Sequence, residues 1–246
     1  IVIFLLLSFV LLTKKTTAQL ERVFVEKYYV SDANDESNTT GGKLKSGSTT
    51  YRIYLDLAKN SKVIRLFGND KFPIQFASTD SIYNNLVDGQ SFGKDFVKSR
   101  YADNLVALDS WLTIGQTSKF QGAKATFGIP KEFDTDGSFI GGSNNDGGSQ
   151  AIVNGLMTNK NIEIGQPLTV ADGMVTKNLN VFGWSSNGLV VAGIDSSIFG
   201  LGGFKKEFKS HLFDLKCDGV EGADTNLNHV LIAQITTKGE LIFNIN

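Results

Sequence analysis

One cysteine, three prolines and two histidines among 246 residues narrow the chemistry open to this chain. Cys217 has no partner for an internal disulfide, so stability must rest on an apolar core, with bound ions as a second source. A lone thiol of this kind reads as a small buried apolar residue rather than a nucleophile. His211 in "KSHLFD" and His229 in "LNHVLI" have no neighbouring Ser or Cys and no metal-ligand spacing, so the sequence selects no catalytic triad. "GWSSNG" departs from the G-x-S-x-G nucleophile elbow by a second Ser and an Asn before its closing glycine. The glycines of "FGLGGFKKEF" lack the strand-to-helix setting of a phosphate loop. Charge of one sign is also missing: 24 basic against 25 acidic residues give a net charge of −1. That balance supplies no electrostatic footprint for nucleic acid or an anionic membrane.

Long apolar runs are scarce as well. The first twelve residues, "IVIFLLLSFVLL", match the apolar region of a signal peptide and fall short of the roughly 20 residues that span a bilayer. In "TTAQ", Thr16 and Ala18 stand three and one residues before a cut preceding Gln19. Residues 1–18 are therefore expected to be a cleaved signal peptide without its basic start, the alternative being an N-terminal membrane anchor. Removing Lys14 and Lys15 leaves 22 basic against 25 acidic residues, a net charge of −3. The mature chain is expected to be secreted or displayed on the cell surface, with no membrane insertion of its own.

What is abundant points to strands. Twenty-six glycines and eighteen phenylalanines accompany many short apolar alternations. In "TTYRIYLDLA", Tyr51, Ile53, Leu55 and Leu57 share one face while Arg52, Tyr54 and Asp56 share the other, the pattern of a half-buried strand. "NLVALDSWLTIG" repeats it with Val106, Leu108, Leu112 and Ile114. "HVLIAQITTKGELIFNIN" reads as a hairpin whose arms, 230–235 and 241–245, flank a turn at Lys238 and Gly239. "RVFVEKYYV", "KVIRLFG", "PIQFAS", "LNVFGW" and "GLVVAGI" supply further strands, whereas "STDSIYNNLVDG" suits an ordered loop or a single turn. About eight or nine strands with glycine turns predict an all-β fold, an antiparallel β-sandwich of jelly-roll-like topology, in one domain over residues 19–246.

"EKYYVSDANDESNTTGGKLKSGSTTYRIYLDLA", "NLVALDSWLTIG" and "HVLIAQITTKGELIFNIN" resemble segments of uncharacterised all-β ectodomains in secreted proteins of Gram-negative bacteria that use the type IX secretion route. The resemblance spans most of residues 19–246 and implies export and a surface location. It brings no functional residues with it. In such proteins a C-terminal sorting domain often follows the ectodomain; this chain stops within the strand-like "IFNIN", so that domain is expected to be absent or the sequence truncated.

Several residues invite a chemical reading. Hard cations such as Ca²⁺ take six to eight oxygen ligands, and Asp32, Asn34, Asp35 and Glu36 in "SDANDESN" are spaced to supply several. The same residues equally suit a polar loop held by side-chain to backbone hydrogen bonds. Asp134, Asp136 and Ser138 begin a second calcium-like loop, although Phe139 takes the place of the glycine an EF-hand needs and Asn145 that of its bidentate Glu. Asp109 is expected to face solvent opposite the apolar face of its strand; buried instead, it has the character of a general acid, and two carboxylates would suit a glycosidase. Trp111, Trp184, Tyr28, Tyr29 and Tyr54 are aromatic enough for a sugar-stacking platform, with Tyr54 expected to be the most exposed. The reading that follows is a non-catalytic module for adhesion or protein interaction, its partner a surface protein or glycan. A carbohydrate-binding module and a secreted hydrolase are the alternatives.

Overall fold

A computed structural model describes residues 19–102, 105–120, 124–130, 174–178, 190–192, 207–210, 214–222 and 227–245. Their elements, in order, are β1 (Leu20–Val30), α1 (Ala33–Ser37), β2 (Thr49–Leu57), β3 (Val63–Phe67), β4 (Ile74–Ser78), β5 (Trp111–Leu112), β6 (Lys124–Gly128), β7 (Met174–Asn178), β8 (Val190–Ala192), β9 (Glu207–Ser210), β10 (Asp214–Val220), β11 (Asn228–Thr237) and β12 (Leu241–Asn244). Short 3₁₀ segments at Gly93–Asp95, Lys98–Ala102 and Val106–Leu108 lie between β4 and β5. The fold is all-β, and its strand pairs are antiparallel. No helix among the described residues is long and apolar enough to cross a membrane. The expected signal peptide, residues 1–18, and the strand expected at "LNVFGW" lie outside the described residues.

A four-stranded sheet in the order β1-β2-β11-β5 organises the rest. Directly opposed residues share a face, so the register Val25↔Ile53 and Phe24↔Tyr54 assigns each side chain to one side. One face carries Ile53, Leu55, Leu112 and Ile235 into an apolar cluster with Val63 and Leu66 of β3, Phe76 of β4 and Leu215 of β10. With Phe127 of β6, that cluster unites side chains from four separately hydrogen-bonded sheets. The other face carries Tyr28, Tyr54, Trp111 and Leu231, packed with Phe96, Tyr101 and Leu108 from the 3₁₀ layer.

Both faces of β2 are therefore buried, against the half-buried strand expected. Arg52 shows the consequence: it is buried, donates from Nε to Gln234 Oε1 at 3.0 Å, and lies 3.4 Å over the Tyr28 ring. A polar residue inside a two-sided strand keeps its place only when bonded in this way.

Two further expectations give way. "NLVALDSWLTIG" is not one long strand: Leu105 sits at φ +63°, Val106–Leu108 is 3₁₀, and only Trp111–Leu112 pairs with β11. Its apolar residues are buried on several sides, and such a segment mimics alternation without being extended. "HVLIAQITTKGELIFNIN" does turn at Lys238 and Gly239, but it is no hairpin. β12 leaves β11 and pairs with β4, Phe243 opposite Phe76. A β-carbon at Gly239 would lie 2.3 Å from Asp80 N, so only glycine lets the chain pass this close to the end of β4 as it changes sheets.

Candidate functional site

The acidic stretch "SDANDES" folds into the single turn α1, and its chemistry is that of a helix start. Asp32 Oδ1 accepts the N–H of Asp35 at 3.2 Å, and Asp35 Oδ2 accepts the N–H of Asp32 at 2.8 Å. This reciprocal pair is a capping box, which satisfies two backbone donors at once. Tyr29 donates its hydroxyl to the same Asp35 oxygen at 3.0 Å, drawing the carboxylate inward. Glu36 turns elsewhere: one oxygen accepts Ser46 N–H at 3.3 Å and the other lies 3.8 Å from Lys43 Nζ.

The acidic side chains thus diverge, and Asn34 lies within α1 between them. Among the described residues no three His, Cys, Asp or Glu side chains are placed to hold a metal ion. Of the residues expected to hold calcium, Asp32, Asn34, Asp35 and Glu36, the three acids each give one carboxylate oxygen to a local backbone N–H. Asp134, Asp136 and Ser138 lie outside the described residues, as do Trp184 and His211.

Asp35 is fully buried, and its Oδ1 has no hydrogen-bond partner among the described residues. Burial raises its pKa to about 7, although the Asp32 N–H and the Tyr29 hydroxyl favour the ionised form.

A second carboxylate lies deeper. Asp109 was expected at the surface and is instead fully buried. The reason is its loop: Oδ1 accepts Asn85 N–H at 2.7 Å and Oδ2 accepts Gln90 N–H at 2.9 Å. Asn85 in turn accepts the N–H groups of Val87 and Asp88, both at 3.0 Å, an Asx turn that winds the segment 85–88. Gly89 fits only as glycine, since a β-carbon there would meet Asn85 O at 2.3 Å. Burial pushes the pKa of Asp109 up to about 8, against the backbone N–H groups of Asn85, Gln90 and Ser110.

Tyr83 feels the charge of both carboxylates. Its hydroxyl donates to Gly41 O at 3.2 Å and accepts Asn85 Nδ2 at 3.4 Å. Burial raises its pKa well above the usual phenol value, and the charges of Asp109 and Asp35 push the same way.

Tyr83 also lines, with Leu44, the buried part of a small open cleft. Lys43, Lys45 and Lys238 stand at its walls beside Asp80, which accepts Lys45 Nζ at 2.8 Å. Neither Asp35 nor Asp109 lines the cleft.

The remaining candidates are structural. Tyr54 is 0 % exposed, so it offers no stacking platform; its ring stacks on Phe24 at 5.1 Å and its hydroxyl donates to Ile129 O at 2.9 Å. Tyr28, Tyr29 and Trp111 are buried with it. His229 is buried with Nε2 3.2 Å from Asp56 Oδ1, while Arg22 Nε donates to Asp56 Oδ2 at 2.7 Å. The Cys217 thiol donates to Val63 O at 3.1 Å, and burial raises its pKa to about 11, which keeps it protonated near neutrality.

Tyr83, Asn85 and Gly89 went unnoticed as site residues in the sequence. The signal was there in "IYNNLVDG": an Asx-turn asparagine followed four residues later by glycine. Comparison with protein-family models, curated proteins and solved structures finds no match.

Proposed function

We propose that this chain is a secreted or cell-surface β-sandwich module, non-catalytic, that serves adhesion or protein interaction by holding a surface protein. The observation that supports this most is the cleft rimmed by Lys43, Lys45 and Lys238 over the fixed floor of Leu44 and Tyr83. Exposed ammonium groups on flexible stems steer and orient an acidic partner surface, while a rigid floor lowers the entropy lost on docking. Export is supported by residues 1–18, and the sandwich by the apolar cluster that joins β2 and β11 to β3, β4 and β10. A location on the outer surface through the type IX route rests on the resemblance described above.

Beads coated with the chain should adhere to intact bacterial or host cells. The triple substitution Lys43→Ala, Lys45→Ala, Lys238→Ala should abolish most of that adhesion. Protease treatment of the cells should remove it as well, whereas loss after periodate would instead favour a glycan partner. Turnover of glycoside, ester or peptide substrates by the purified chain would overturn the non-catalytic reading.

A further inference from the structure

We infer that β1 is a self-association edge, on which a second copy of this chain adds its own β1 antiparallel about a two-fold axis at Phe24. Among the described residues β1 is the outer strand of the four-stranded sheet, with β2 on one side. It carries Val23 and Val25 at 36 % and 40 % exposure. An edge strand of this length with exposed apolar residues is a ready template for another strand.

The sequence of the edge selects the partner. "ERVFVEK", residues 21–27, is a palindrome in apolar pattern and an inverted one in charge. Paired with itself antiparallel about Phe24, it sets Glu21 opposite Lys27, Arg22 opposite Glu26, and Val23 opposite Val25. The exposed charges Glu21 and Lys27 then each meet their opposite. A lysine on an edge strand ordinarily blocks edge-to-edge pairing, but in this register Lys27 finds a carboxylate. Shifting the strands by one residue pair in either direction destroys the match.

Backbone geometry agrees with the same register from Arg22 to Lys27, the stretch between the two irregularities of the β1–β2 pairing. Thr236 of β11 gives its carbonyl to Tyr83 N–H, away from β2. Its opposite residue Thr50 therefore turns its backbone groups toward β1, and by alternation so do Arg52 and Tyr54. Glu26 and Phe24, opposite these two, bond inward to β2. Val23 and Val25 consequently direct their N–H and C=O groups to the open edge. Those are the residues the palindrome sets face to face, so each can exchange both backbone bonds with its counterpart. The symmetry is that of a closed isologous dimer, and the pairing joins two four-stranded sheets into one.

Sedimentation of the whole chain over a wide concentration range tests this. A monomer–dimer equilibrium is expected. Glu21→Lys alone and Lys27→Glu alone each turn two attractive pairs per dimer into repulsive ones and should weaken association at least about tenfold. The double substitution restores opposite charges and should restore the dimer. Val25→Pro removes an outward N–H without touching a bond to β2, so it should abolish dimerisation while circular dichroism stays that of the parent. A chain that stays monomeric at every concentration overturns the inference. So does a dimer indifferent to the single charge reversals, or a double substitution that associates no better than either single one.

Discussion

Asp109 Oδ1 accepts the backbone N–H of Asn85, 24 residues earlier in the chain, at 2.7 Å inside the protein. With Gln90 N–H on its other oxygen, this one carboxylate closes the loop that carries Tyr83 and thus the floor of the cleft. Above about pH 8, where Asp109 is ionised, Asp109→Asn sets an amide N–H₂ against one of those backbone donors. It should cost about 1–3 kcal/mol, the penalty for a buried group left unsatisfied. Urea unfolding of the two proteins would measure it; an unchanged midpoint would remove Asp109 from this structural role.

The buried carboxylates also set a pH dependence opposite to the usual acid denaturation. Both Asp35, at about 7, and Asp109, at about 8, lie above the ordinary value of 3.8. The folded state then binds more protons than the unfolded chain between pH 4 and 8, and stability falls as pH rises through that window. Their contribution is most favourable near and below pH 4 and is lost as the pH rises through about 7 for Asp35 and about 8 for Asp109, above which both are ionised in either state. The melting temperature should fall from mildly acidic to mildly alkaline buffer, and Asp35→Asn should flatten the part between about pH 4 and 7. A melting temperature that rises steadily over that range would contradict the assignment.

Calcium should leave the protein unmoved through "SDANDESN", because the capping box already uses Asp32 and Asp35. Asp32→Ala should cost about 1 kcal/mol with or without the ion, as loss of a helix cap does. Melting curves in millimolar calcium and in chelator test both statements together. A several-degree rise with calcium that vanishes in Asp32→Ala would reinstate the cradle.

Tyr54→Phe keeps the ring stacked on Phe24 and deletes the hydroxyl that satisfies Ile129 O. The expected loss is about 1 kcal/mol of stability, with adhesion and any sugar binding unchanged. A selective loss of sugar binding in this variant would return Tyr54 to the surface role its position in the sequence suggested.

N-terminal sequencing of protein recovered from the medium or the cell surface should begin at Gln19. Retention of residues 1–18 in a membrane fraction would favour an anchor over a cleaved signal.

By itself the sequence determined the all-β class, because period-two alternation and glycine turns are local properties that a strand needs wherever it ends up. β2, β3, β4 and β11 follow their apolar runs closely. It also contained the Asp32–Asp35 capping box and the charge pattern of "ERVFVEK", both matters of spacing along one segment. Only the tertiary structure decided which faces are covered. Tyr54 and Asp109 sit at polar-looking positions and are buried, Tyr54 because the 3₁₀ layer closes over the second face of its sheet and Asp109 because the 85–90 loop folds onto it. It decided, too, that β12 joins β4 rather than β11, since a turn sets the reversal of the chain but not which edge receives it. Burial then raised the pKa of two aspartates whose neighbours in sequence give no hint of it, because desolvation depends on what surrounds a carboxylate in space and not on what precedes it in the chain.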